Sequence, residues 1–585
     1  MLTCALSDGV VEAAGDCDDA DPAVHPDAVE LGCNGLDDDC DGTVDTQRVP
    51  SDHADLATAV AALPDGSEIC VEPGTYAERL DLSGRVLQFT GQGGAGVTVL
   101  DLGTEAPMLT LVGESETADA GDIGLRGFTV SGGDFTAADA TLDGGFVRVV
   151  GSTLRLEDVA FDDTAVSMGD GGAVEGGLIH ASGAALSLTD VTVTGLALHI
   201  GGTDDDAGEL RGGFLYAEAS EVDLSSLLVS GLGLTGDPAR DSCRVFGGAI
   251  LVDEGSTLTG ADLAFEGADL DLECGERANL GGALLWGYDG PSTITGLRVT
   301  GNRVRVVGSE RAYVFGLLTA YDFRGDARQS WSVVDLSDND VESDSTGTSV
   351  VYGGVFLEKG DVTHMTAWNN HGAAGGMGGT RAGSMSSLVL EARDADVAYL
   401  DVRGNVGIGD KYASELVYVE AYESTASLRH FVIAGNSTTA PALYGMALGA
   451  AAELGRVDIQ HGDIVGNTFT GEARYGVVSI GGEEESDRVA LDHVQIIDNV
   501  HVGDGDPSAV YEWYETGETT EIGWCNLVGQ DVETPSGVIT GSDGNISADP
   551  LYVDVSGTDP TTWDLSLQAS SPAIDAGDPT ATDAD

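Results

Sequence analysis

Lysine is almost missing from this chain. Lys359 and Lys411 are the two lysines in 585 residues, and 25 Lys+Arg stand against 99 Asp+Glu, a formal net charge of −74. Nucleic acids and anionic lipid surfaces are bound by clustered cations, so both are excluded as partners. No apolar run approaches the roughly 18 residues of a membrane-spanning helix, and Met1–Val11 lacks the basic start and apolar stretch of a secretory leader. Residues 575–585 end in turn chemistry without a closing element, which leads us to expect a piece of a longer precursor. Phosphate-loop, Gly-x-Ser-x-Gly and His-Glu-x-x-His sequences are absent too, so no organic cofactor is expected. Divalent cations, cationic partners and uncharged glycans remain.

What is present is glycine, 85 residues, and 42 % hydrophobic content, enough for a large core rather than disorder. At this length about four domains would be ordinary, unless the chain is a repeat. It is a repeat. A short apolar strand opened by Gly-Gly recurs at Gly144, Gly176, Gly212, Gly247 and Gly281, then more loosely at Phe315, Gly353, Ser386, Ser414, Tyr444, Tyr475 and Ser508, at intervals of 28 to 38 residues. A second and a third strand follow each start. Apolar residues alternate within strands, but the step from second to third is three residues, as in Leu156 to Val159 and Leu428 to Phe431, which implies a tight corner. Three short strands per unit without helices predict a coil whose turns stack about 4.8 Å apart around one core. The variable stretch after the third strand is expected to project as loops.

A second column fixes the register. Asn302, Asn339, Asn370, Asn405, Asn436, Asn467 and Asn499 recur at 31 to 37 residues and are expected to stack as an amide ladder. Earlier coils carry Gly195-Leu196, Gly231-Leu232 and Gly267-Ala268 there. Ahead of the coils, Leu56, Val60 and Leu63 share one face of a predicted helix that caps the open end of the stack. With Ala59 to Glu78, the Gly-Gly coils, and the tail segments 548–554 and 570–577, the chain resembles secreted right-handed parallel β-helix proteins of the pectate-lyase-like superfamily. The resemblance covers about residues 50 to 585. It implies an all-β, three-sheet solenoid of about 13 to 14 coils, roughly 65 Å long, and says little of activity, since such folds host enzymes, adhesins and stalks. The expected divisions are an acidic module (1–48), a capping helix and linker (49–67), the β-helix (68–523) and its C-terminal end (524–585).

The acidic module carries the sharpest motif. Asp37, Asp39 and Asp41 fall at positions 1, 3 and 5 of a calcium loop, with Gly42 at 6 and Asp45 at 9, while Arg48 replaces the usual Glu at 12. Upstream, Asp16, Asp18, Asp19 and Asp21 could complete the ligand set. The two clusters, with Cys17, Cys33 and Cys40, resemble the short bacterial metal-binding repeat named after the copper protein MopE. Copper favours imidazole or thiolate and only His25 lies in the segment, so oxygen donors favour calcium; another metal, or a solvated linker held by disulfides, are the alternatives. Cys4, Cys17, Cys33 and Cys40 allow three connectivities, with Cys4–Cys17 and Cys33–Cys40 suggested by proximity. Cys243 and Cys274, one coil apart in projecting loops, are expected to form a disulfide, and Cys70 and Cys525 to be small buried residues. This cysteine usage points to an oxidising, extracellular or cell-surface setting.

Two further places could carry chemistry. Relatives that act on polysaccharides use the outer face of the first sheet, but here that row reads as largely Leu, Val, Ala and Phe, with Arg148, His180 and Tyr216 as exceptions. At the corner, His364, Tyr399, His430, His461 and His493 recur six residues before the ladder Asn, near Arg429, Asp463 and Asp492. Such a column is either a planar-side-chain stack that stabilises the corner or a metal- or sugar-binding strip. The sequence reading is a monomeric, non-catalytic structural or adhesive rod, calcium-stabilised, with a glycan or cell-surface partner. The alternative is a polysaccharide lyase or hydrolase. A convergent set of carboxylates with an Arg would favour the enzyme.

Overall fold

The computed structural model describes residues 17–18, 24–26, 33, 36–37, 39–41 and 47–577, the last span apart from 114–120, 204–208, 254, 323–327, 376–382, 483–486, 506–507, 513–519, 529–531, 534–543 and 575. One coil shows how the sequence builds the rest. Strand Ile179–Ser182 leads into Ala185–Thr194, which bends at Asp190 (φ 52°), and Ala197–Ile200 and Glu209–Arg211 then bring the chain round to Gly212. Ile179, Leu186, Leu188, Val191, Val193, Leu198, Ile200 and Leu210 are all buried, because period-two alternation sends them to one side. Each strand pairs in parallel with its counterpart one coil on, Ile179 with Leu215, Leu188 with Leu224 and Leu198 with Leu234. Repeated along the chain, this gives two long parallel sheets of 32 and 21 strands around one apolar core, a β-helix of about 13 turns. Glycine is needed at the bend: Gly212 has φ 61°, and a Cβ there would sit 2.0 Å from the Leu215 carbonyl oxygen.

The ladder is continuous. Nδ2 of Asn302, Asn339, Asn370, Asn405, Asn436 and Asn467 each donates to Oδ1 of the next ladder Asn at 2.9 Å, ending at Asn499. The stretch expected as projecting loops is different. It forms strands of its own, such as Ala197–Ile200 and Glu209–Arg211, and these make up the second sheet. Stacking satisfies backbone groups that a loop over the core would leave unpaired. Their Gly- and Asp-rich joints hid the alternation. Cys243 and Cys274 consequently lie at buried positions of two strands, Ser242–Phe246 and Asp269–Cys274, where a disulfide joins them with their Cα atoms 6.2 Å apart.

A helix spans Leu56–Ala62 and covers the first coil. Its N-cap Asp55 accepts a hydrogen bond from the Thr58 amide at 2.7 Å, and Leu56, Ala59 and Val60 join the main core. At the tight corner, one residue per coil takes left-handed backbone geometry: Asp158, Asp190, Ser226, Asp262, Val333 and then the His/Tyr column. Asp tolerates this geometry, but a β-branched residue does not. Val333 is 56 % exposed at φ 54°, so Val333→Asn should raise stability by about 1 kcal/mol, read as a higher urea midpoint.

The C-terminal segment folds back over the outside of the late coils. Strands Tyr552–Asp554 and Asp564–Leu567 pair antiparallel, and Tyr552 and Trp563 pack on Ala434, Val465 and Ile497. Arg403 Nη1 donates to the carbonyls of Trp563 (2.8 Å) and Pro560 (3.3 Å), and the Tyr552 hydroxyl donates to Asp463 Oδ1 at 2.8 Å. Burial pushes the Asp463 carboxyl up to about 6, against the hydrogen bonds from Tyr552 and Gln495. The folded chain therefore holds this proton more tightly than the unfolded chain does. Stability contributed by the protonated form is complete below about pH 4 and is lost as pH rises through about 6, on the order of 3 kcal/mol in all. Asp463→Asn should flatten that slope. Tail docking followed by Trp fluorescence between pH 4 and 8 checks it.

Candidate functional site

Three places concentrate chemistry. The first is the acidic loop. Asp37, Asp39 and Asp41 bring carboxylate oxygens within 4.8 Å of one another, and the Asp41 amide donates to Oδ1 of both Asp37 and Asp39 at 3.0 Å. That spacing suits a hard divalent cation bound by converging oxygens. Asp18 is described but is not one of the three converging carboxylates, while Asp16, Asp19, Asp21, Asp45 and Cys4 lie outside the described residues. His25 places Nδ1 2.9 Å from the Pro26 carbonyl.

The disulfides correct the proximity guess. Cys17 bonds Cys40 and Cys33 bonds Cys70, with Cα separations of 5.6 and 5.3 Å. Cys33 thus does not close a small ring with Cys40. Instead it reaches strand Ser67–Val71 of the first coil, which Arg48–Val49 flanks in parallel. Cys70 is a bridge rather than a spare buried thiol, whereas Cys525 is a free, buried cysteine. Sequence distance misled here because the cysteine nearest to Cys33 in sequence, Cys40, is bonded to Cys17, and Cys70 of the first coil is its partner.

The second place is the corner column. His364, Tyr399, His430, His461 and His493 stack with ring centroids 4.6, 5.0, 5.2 and 5.1 Å apart, at φ between 53° and 57°. The first four rings lie face to face and His493 is tilted by 33° from His461, while Tyr399 is 51 % exposed. No three His, Asp, Glu or Cys donors of the column converge within 4.8 Å among the described residues. Burial and then the neighbouring His493 and His430 hold the His461 imidazole below its ordinary range. Asp492 faces His493 Nδ1 at 3.0 Å, but Asp463 turns away into the tail contact.

The third place corrects the reading of the outer row. Pairing aligns Arg148, His180, Tyr216, Leu251, Trp286, Thr319, Phe356, Glu391, Tyr418, Gly449, Ser479 and Tyr511 as one column. Glu358, Arg393 and Glu420 align two residues further on. The late part of this face is therefore polar and aromatic, not aliphatic. Arg393 Nη2 donates to Glu391 Oε1 at 2.6 Å, its Nε lies 3.2 Å from Glu420 Oε2, and its guanidinium sits 5.2 Å from the Phe356 ring centre. Glu391 is 3 % exposed, and its second oxygen is buried without a hydrogen-bond partner. Glu415 accepts from Ser479 Oγ at 2.9 Å, and burial pushes its carboxyl up to about 7. Burial also raises Glu358 and Glu420. Of these groups Glu415 is the one placed to exchange a proton near neutral pH, while Arg393 holds Glu391 and Glu420 as ion-pair partners. Sequence reasoning missed them because it read this row as largely Leu, Val, Ala and Phe, whereas Glu391 and Arg393 lie on strand Leu390–Arg403 and Glu420 on Val417–Tyr422. Glu391, Arg393 and Glu420 in alternate outward positions were the available signal.

The family model Cu-binding MopE, "Putative metal-binding motif", matches residues 16–46. No curated protein matches the chain. Among solved structures, the chain is similar to the A-module of Azotobacter vinelandii mannuronan C-5 epimerase AlgE4, at 12 % identity over 78 % of this chain and 91 % of that one, TM-score 0.23. The A-module of mannuronan C-5 epimerase AlgE6 from the same organism gives 12 % identity over 80 % and 93 %, TM-score 0.23. Likeness at that level carries no argument about this chain, whose β-helix rests on its own strand pairing.

Proposed function

We propose that the chain is an extracellular, non-catalytic β-helix rod, monomeric, whose N-terminal loop binds calcium and whose long acidic exterior meets a glycan or another cell-surface component. The observation that carries this reading is the Cys33–Cys70 bridge beside the Asp37–Asp39–Asp41 triad. An ion bound by those carboxylates would stiffen the rod's capped end directly. Three disulfides support an oxidising compartment. Oxygen donors favour calcium over copper. Calcium at 100 times its Kd should stabilise the chain by about 2.7 kcal/mol, and Asp39→Asn with Asp41→Asn should remove that gain. Calorimetry with Ca2+ and Cu2+ on the full chain checks it. No calcium heat at millimolar levels, or copper bound more tightly than calcium, sinks the calcium assignment. A glycan array read with and without calcium tests the partner.

A second reading is a polysaccharide-active enzyme, lyase or hydrolase, favoured by the Glu391–Arg393–Glu420 group with Glu415. Its catalytic acid would come from this cluster. Polysaccharide turnover by the wild type that Glu391→Gln and Glu415→Gln each abolish, with folding intact, selects the enzyme over the rod.

A further inference from the structure

We propose that Asp340, Glu342 and His371 form a second cation site, for a zinc- or manganese-class divalent ion, on the outward face of the second sheet and separate from the acidic N-terminal loop. Strands Asp340–Asp344 and His371–Gly375 lie side by side, with Asp340 opposite His371 and Glu342 opposite Ala373. The intervening Val341, Ser343 and Ala374 are buried, so alternation turns the three donors outward. One donor atom from each of the three falls within 4.8 Å of the others. The backbone of two hydrogen-bonded strands fixes this spacing, and Ala373 puts no competing side chain opposite Glu342.

Charge selects the ligand. The preceding coil places Arg303 opposite Asp340 and Arg305 opposite Glu342. Both guanidinia are bound to the coil beyond, Arg303 to Asp269 at 3.0 Å and Arg305 to Asp271 at 2.9 Å. Four carboxylates against two guanidinia leave two negative charges on this patch, which one divalent ion balances. On the other side stand Val406 and Ile408, with no charge to compete. Two carboxylates with one imidazole suit zinc or manganese better than calcium, whose ligands are oxygens alone. All three side chains are partly exposed, so the ion can enter and water can complete its shell. Without an ion, His371 Nδ1 and Asp340 Oδ1 hydrogen-bond at 2.6 Å.

The test uses the full chain with Asp37→Asn, Asp39→Asn and Asp41→Asn, which silences the N-terminal loop. Zinc is followed by equilibrium dialysis and cobalt by its visible absorption at neutral pH. One equivalent is expected at micromolar metal, with cobalt bands showing a nitrogen ligand. Adding His371→Ala or Glu342→Gln should each weaken binding by at least the roughly 10- to 100-fold seen when a mere supporting partner is removed. Glu342→Gln is the decisive variant. It leaves the Asp340–His371 hydrogen bond and the strand pairing in place, so a plain ion pair would not respond to it. Zinc affinity unchanged by Glu342→Gln, or no zinc bound by the loop-silenced parent at micromolar metal, overturns the site.

Discussion

Asn405→Ala is expected to lower stability by about 2 to 6 kcal/mol, far more than an average substitution. Asn405 is fully buried, and its Oδ1 accepts from both the backbone amide (2.8 Å) and the Nδ2 (2.9 Å) of Asn370. Its own Nδ2 donates to the Ala367 carbonyl at 2.8 Å and to Asn436 Oδ1 at 2.9 Å. Alanine strands two donors on Asn370 inside the stack, each costing about 1 to 3 kcal/mol unpaired. Asn405→Asp should be no milder, since it removes both donated bonds and buries a charge. Because each coil touches mainly its neighbours, opening should spread from coil 405 rather than melt the rod at once. Hydrogen exchange at the amides of residues 370 and 436 reads this. Protection there equal to wild type would show that the ladder decorates the stack rather than holding it.

Cys33→Ser with Cys70→Ala should release the acidic loop from the first coil. Closing a loop of 37 residues is worth about 4 kcal/mol in the chain-entropy description of a disulfide. Calcium would then have to order the loop against the first coil by itself. If only a third of that ordering free energy, about 1.4 kcal/mol, is charged to binding, the calcium Kd rises tenfold. Calorimetry on the variant, with limited proteolysis between residues 40 and 56, checks both effects. An unchanged Kd would mean that Cys17–Cys40 alone preforms the triad. The helix Leu56–Ala62 should persist in either case, because Leu56, Ala59 and Val60 stay packed on the core.

Legibility followed the length scale of the interaction. The capping helix and the corner were readable because both are written in residues a few positions apart. The ladder was readable because one amide per coil repeats without exception from Asn302 to Asn499. The second sheet was not, since Gly and Asp at its joints resemble loop composition while the backbone still pairs coil to coil. The outer row failed for a finer reason. The apolar residues by which that row was read stop just short of Glu391 and Arg393, and the alternation of Glu391 with Arg393 was the local signal that pointed outward.

The period, the corner and the position of the asparagines could be read from residues alone, because alternation and corner geometry are local properties of the backbone. Which side chains from different coils meet is set by the fold: Cys33 with Cys70, Glu415 with Ser479 across 64 residues, Asp340 with His371. Those meetings depend on the accumulated register of unequal coils, and a shift of two residues in any one of them would bring a different set together.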